Sequence, residues 1–122
     1  MKILVVDDAP EISILMEDIL NPLGFEVDSA PSAERALEKI RKSKPDLILL
    51  DVMMPGKDGY EFCADLKKSD FRKIPVIFVS VKRDKSEIEK GLKLGAADYV
   101  TKHFDPDDLV KRVQKVLGGA HG

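Results

Sequence analysis

Five side chains in this sequence combine into one piece of chemistry. Asp7 and Asp8 follow the apolar run Ile3–Val6, and Asp51 follows Leu47–Leu50. Ser80 lies near the end of the run Val76–Val81, and Lys102 comes just after Tyr99–Val100. If these runs are strands of one sheet, three carboxylates, a hydroxyl and an ammonium share one rim. Like charges crowded together raise a carboxyl pKa and cost several kcal/mol, so three carboxylates there call for a cation. The ligands are oxygens, with no matching His or Cys, which suits Mg²⁺. Such a metal, together with Lys102, would neutralise a phosphoryl group delivered to one carboxylate. Phosphoryl transfer asks mainly for positioning and charge stabilisation, so this short set of groups is sufficient. Asp51 ends a central run and is the nucleophile candidate, while the adjacent Asp7 and Asp8 are better placed to hold metal.

Each residue also has a plainer reading. Asp8 could be only the N-cap of the next helix, Ser80 could merely end a strand, and a lone lysine is most often a solvated surface group. The conjunction of the right group at four strand ends favours the site.

The elements that would position these groups are legible in the hydrophobic pattern. The runs beginning at Ile3, Leu47 and Val76 are continuously apolar, so both faces are buried, as in a parallel sheet covered by helices. Phe25–Ala30 is more mixed and reads as an outer strand. Between the runs, apolar residues recur at steps of three and four: Ile12, Leu15, Met16, Ile19, Leu20 and Leu23, stopped by Gly24; then Ala33, Ala36, Leu37 and Ile40 after Ser32 as N-cap. Phe62, Cys63 and Leu66 form a shorter stripe. Asp84 with Glu87 resembles a capping box before Ile88 and Leu92, although Gly91 weakens that fourth helix by about 1 kcal/mol against Ala. Asp105, Pro106 and the stripe Leu109, Val110, Val113, Val116 and Leu117 mark the last helix. Five strand–helix repeats give a doubly wound α/β fold, a (βα)5 parallel sheet with helices on both faces and right-handed crossovers.

The chain has 122 residues, 43% hydrophobic and 34% charged, with a formal net charge of −2. That is one globular domain, expected over residues 1–118, with 119–122 a loose tail that could open a linker. The near-neutral, slightly acidic balance argues against direct nucleic-acid binding, which needs a basic face. The apolar runs are too short to span a bilayer, and Asp7 and Asp8 interrupt the opening run too early for a signal peptide. The single cysteine, Cys63, makes no internal disulfide, reads as a small core residue, and fits a reducing cytoplasm.

With ILVVDD, DLILLDVMMPGKDGYE, IPVIFVS and GAADYVTKHF along its length, the chain resembles the receiver domains of two-component response regulators, over nearly its whole extent. The resemblance implies a flavodoxin-like fold with strand order 2-1-3-4-5. It also implies a phosphoacceptor at Asp51 and a Mg²⁺ site made by Asp7, Asp8, Asp51 and the Met53 backbone carbonyl. Ser80 and Lys102 would stabilise the phosphoryl group, with Ser80 and Tyr99 as the switch pair and Pro55 and Gly59 shaping the loop after Asp51, where Pro fixes φ and Gly permits a tight turn. Met53 and Lys82 occupy positions that tune the lifetime of the acyl phosphate. The implied function is a signalling switch in a phosphorelay, not an enzyme for an external substrate. The implied partners are a histidine kinase or phosphotransfer protein and a downstream effector domain or protein. A homodimer through the fourth helix, fifth strand and fifth helix is a further candidate, faintly supported by a pairing of Asp98 with Arg112. The alternative is a non-phosphorylated pseudo-receiver that serves only as an interaction module. An enzyme of the same topology fits poorly, because no Gly-rich phosphate loop is present and no Asp-x-Asp motif follows the first strand, where Asp7-Asp8-Ala9-Pro10 stands.

The chain departs from the family at His103, where proline usually follows the lysine in a cis peptide. A cis bond costs roughly 2.5–4 kcal/mol before a non-proline residue, so energy alone predicts a trans Lys102–His103 bond. An apolar Met53 should shield the acyl phosphate from water. Replacing it with a water-orienting amide, Met53→Asn, is expected to speed phosphate release from Asp51; equal release rates for wild type and variant would show that Met53 does not shield.

Overall fold

The continuously apolar runs become the middle of a parallel sheet. A computed structural model describes residues 1–118, so the tail expected at 119–122 lies outside the described residues. The order is β1 (Lys2–Val6), α1 (Pro10–Leu20), β2 (Glu26–Ala30), α2 (Ala33–Lys42), β3 (Leu47–Leu50), α3 (Gly59–Lys67), β4 (Val76–Ser80), α4 (Lys85–Lys93), β5 (Asp98–Thr101) and α5 (Pro106–Gly118). The strands pair in parallel in the order β2-β1-β3-β4-β5. The mixed run β2 is an outer strand, as its pattern predicts. No helix among the described residues is long and apolar enough to cross a membrane.

Alternation along the strands divides the core into two layers. Leu4, Val6, Ile48, Leu50, Val76 and Phe78 face one cluster, joined by Ala36 and Ile40 of α2 and Phe62, Cys63 and Leu66 of α3. Ile3, Val5, Leu47, Leu49, Ile77 and Val79 face the other, covered by Met16 and Leu20 of α1 and Leu109 and Val113 of α5. Full burial of each large aliphatic side chain contributes about 1.5–3 kcal/mol, so these two layers fix the sheet and the positions of its strand ends. Cys63 is fully buried, and burial pushes its thiol pKa up.

Local signals hold in part. Ser32 caps α2, its hydroxyl accepting from the Arg35 N–H at 3.2 Å. The α1 stripe differs from expectation: Leu15 and Leu23 are exposed, whereas Ser13 is buried. The helix ends at Leu20 because Pro22, in the 3₁₀ turn Asn21–Leu23, has no N–H to extend the ladder. The capping box before α4 does not form. Asp84 is the N-cap residue but accepts no side-chain hydrogen bond, and the Glu87 carboxylate is engaged by Tyr60 instead. In α4, Leu92 is exposed and Ile88 only partly buried.

Gly91 is the one buried residue of α4, and a Cβ there would lie 2.9 Å from the Phe78 ring and 3.1 Å from that of Tyr99. Close packing selects this glycine despite its poor helix propensity. Gly91→Ala gains about 1 kcal/mol of propensity but meets a buried aromatic ring, an overlap that costs about 1–3 kcal/mol. Thermal or urea unfolding is expected to show a net loss of about 1 kcal/mol, where an exposed helical glycine would show a gain.

Candidate functional site

The carboxyl ends of β1, β3, β4 and β5 converge, and their residues are held by the ladder itself. The Asp7 N–H donates to Ala30 O at 3.1 Å and the Asp51 N–H to Val6 O at 2.9 Å. Both aspartates therefore sit one step beyond their strands in fixed backbone positions. The Lys102 N–H donates to Ser80 O at 2.8 Å, which ties the lysine to the end of β4. Its Lys102–His103 peptide is trans, as energy predicts.

Asp7, Asp8 and Asp51 each present a carboxylate oxygen, all within 4.8 Å of one another. Asp7 and Asp51 are 4% and 3% exposed, whereas Asp8 faces solvent. The Lys102 ammonium reaches both buried acids, at 3.0 Å from Asp7 Oδ2 and 3.4 Å from Asp51 Oδ2. Asp7 Oδ1 accepts from the Ala9 N–H at 2.9 Å, so Asp7 is well satisfied. Asp51 is not: its Oδ1 is buried with no hydrogen-bond partner among the described residues. Asp8 is not the N-cap of α1; that position is Ala9, without a side-chain cap.

Burial raises the Asp51 pKa, and the charge of Asp7 adds to it, with Lys102 opposing both. Burial by itself would lower the Lys102 pKa, but its hydrogen bond to Asp7 and the nearby charges of Asp51 and Asp7 outweigh it and hold the ammonium above its usual value. The donor set fits a hard cation. It consists of carboxylate oxygens, one of them orphaned, and three acids against one ammonium leave the cluster two charges negative.

Ser80 is fully buried, and its Oγ accepts from the Lys82 N–H at 3.1 Å. Tyr99, also buried, donates its hydroxyl to Lys82 O at 2.7 Å. The backbone of Lys82 is thus pinned on both sides by the two residues expected to form a switch pair. Met53 is exposed, and with Asp8, Lys82, Glu87 and Lys90 it lines an open cleft of about 440 Å³ at the mouth of the site.

Gly59 serves the site in a different way from the expected tight turn. Its φ is not positive; that conformation falls on Gly56, at +78°. A Cβ on Gly59 would lie 2.0 Å from Asp51 O, so α3 begins in direct contact with the backbone of Asp51 and admits no side chain there. Sequence reasoning also missed Tyr60, the next residue, which bonds to α4. A lone aromatic beside a motif glycine gives no periodic signal.

The sequence pattern of the response regulator receiver domain matches residues 3–114, and the chain belongs to that family. It is 41% identical to the alkaline phosphatase synthesis transcriptional regulatory protein PhoP of Bacillus subtilis over 95% of this chain and 48% of that protein. The chain spans about half the length of the curated relatives it matches. Among solved structures, the beryllofluoride-activated N-terminal receiver domain of Klebsiella pneumoniae RstA is 35% identical with a TM-score of 0.90, covering 96% of this chain and 98% of that one. The receiver domain of Francisella response regulator 1452 is 32% identical with a TM-score of 0.91, covering 98% of each chain.

The raised Asp51 pKa has a consequence for stability. Between the ordinary carboxyl pKa of 3.8 and the higher folded value, the unfolded chain ionises first, so stability falls as pH rises. Above the folded value the cost is constant. In metal-free protein, Asp51→Asn is expected to raise the melting temperature at neutral pH, and the gain should vanish below about pH 4, where both states are protonated. Melting curves in chelator across that range provide the check.

Proposed function

We propose that this chain is a phosphoacceptor switch, with Asp51 taking a phosphoryl group from a phosphohistidine. The observation that carries the reading is the buried, unpartnered Asp51 Oδ1 beside Asp7, Asp8 and the Lys102 ammonium. Asp7, Asp8, Asp51 and the Met53 backbone carbonyl would hold Mg²⁺, which when bound supplies positive charge against the phosphoryl oxygens.

The chain's own groups carry the rest. Asp51 is the nucleophile: a carboxylate oxygen attacks phosphorus, the P–N bond to the donor imidazole breaks, and its electron pair returns to the ring nitrogen. Lys102, already between Asp7 and Asp51, stabilises charge on the transferred group. The Ser80 hydroxyl hydrogen-bonds a phosphoryl oxygen, and Tyr99 follows Ser80. Water later attacks the acyl phosphate, releasing inorganic phosphate and restoring the carboxylate, at a rate set in part by Met53 and Lys82. Phosphorylation adds about −1.5 to −2 charge at pH 7 and remodels the α4-β5-α5 face as a shift between two states. The donor is a histidine kinase or phosphotransfer protein, and the remodelled face serves an effector domain, an effector protein or a second copy. A cytoplasmic setting fits these partners.

Incubation with acetyl phosphate and Mg²⁺ is expected to add one phosphoryl group to the intact mass. Chelator or Asp51→Asn should abolish the gain, and Lys102→Ala should slow it by roughly 10²-fold. A mass unchanged under all conditions would instead mark a non-phosphorylated interaction module.

A further inference from the structure

Tyr60 lies in the first turn of α3, yet its side chain is bound to α4. The buried phenol donates its single proton between Glu87 O at 2.9 Å and Glu87 Oε2 at 2.8 Å, both in the first turn of that helix. The Lys90 ammonium lies 4.7 Å above the Tyr60 ring, a cation–π contact from one turn further along α4. Glu87 Oε1 faces the Lys82 ammonium at 3.9 Å, so one carboxylate links Tyr60 to the residue whose backbone Ser80 and Tyr99 hold. Burial, with Tyr99 and Glu87 adding to it, pushes the phenol pKa well above its ordinary value, and the hydroxyl remains a donor.

The rings continue this connection inward. Phe78 meets Tyr60 edge-on at 5.3 Å and Tyr99 at 5.8 Å, and Gly91 brings α4 directly onto Phe78 and Tyr99. Few apolar side chains fasten α4 otherwise: Gly91 is its one buried residue. The hydrogen bonds from Tyr60 therefore carry an unusual share of its attachment.

We propose that Tyr60 is a positioning residue of the switch: its hydroxyl, through Glu87, clamps the start of α4 over Phe78 and Tyr99 and holds Tyr99 inward before any phosphoryl group arrives. The proposal rests on the phosphoacceptor reading of Asp51. A protein already held in the arrangement that a phosphoryl group favours binds that group more tightly, because less of the population must shift. Neither Tyr60 nor Glu87 touches the reacting atoms.

The test is beryllofluoride titration with Mg²⁺, followed by fluorine NMR, together with the Tyr99 ring signals of the metal-free protein. Tyr60→Phe removes only the hydroxyl and leaves Tyr99 as the one tyrosine of the two in the sequence. Half-saturation is expected at about two- to ten-fold higher beryllofluoride, the factor that one hydrogen bond supplies, and the Tyr99 signals should move toward solvent-exposed values. Glu87→Ala removes the carboxylate but leaves the Glu87 carbonyl to the hydroxyl, so it should shift both readouts in the same direction by a smaller factor. Half-saturation changed by less than two-fold and Tyr99 signals unmoved in Tyr60→Phe would overturn the clamp. Wild-type protein that takes up no beryllofluoride would overturn the phosphoacceptor reading instead, and the metal-free Tyr99 signals would still decide whether Tyr60 holds that ring.

Discussion

The constraint on which this structure depends is the burial of two carboxylates under one ammonium. Asp7 and Asp51 lie almost out of water, and Lys102 is the cation that reaches both. Removing such charges from water costs several kcal/mol per ion and is tolerated only where geometry and further hydrogen bonds compensate. The compensation here comes from strands held in register. Three of these strand ends must meet within a few ångströms, which requires parallel pairing and crossovers that leave every carboxyl end on one side. The apolar layers above and below the sheet are thus what makes the polar rim affordable.

Most of this was legible in the sequence because each strand carries its signal locally. A run such as Leu47–Leu50 announces burial on both faces, and the polar residue that ends it announces the rim. Strand order was not legible from periodicity and came with the family resemblance. Three of the misreadings share a cause: a residue that fits a local pattern is engaged by a distant partner. Glu87 has the spacing of a capping box, but the Tyr60 hydroxyl claims its carboxylate from 27 residues away. Gly91 reads as a flaw in a helix until the rings of Phe78 and Tyr99 are placed beneath it. Gly59 reads as a turn residue until the carbonyl of Asp51 is found where its side chain would be.

The helices differ in how firmly they are fastened to the sheet. On one side, α1 and α5 each bury large aliphatic residues, Met16 and Leu20, Leu109 and Val113. On the other, α2 and α3 bury Ile40, Phe62 and Leu66, but α4 buries a glycine and rests on aromatic rings and polar contacts. Few buried apolar contacts mean a low local opening free energy. The helix that rests on both tyrosines, α4, is therefore the one that can rearrange without disturbing the layers that hold the carboxylates in place.

The lone thiol of Cys63 offers a last consequence. It sits fully enclosed between α3 and the sheet, and its environment disfavours the reactive thiolate. Maleimide and related probes need an exposed thiolate, so the native chain is nearly silent toward them. A cysteine introduced at any exposed site on α4 would become the sole labelling position, and spin or fluorescent reporters could follow that helix without first engineering a cysteine-free background.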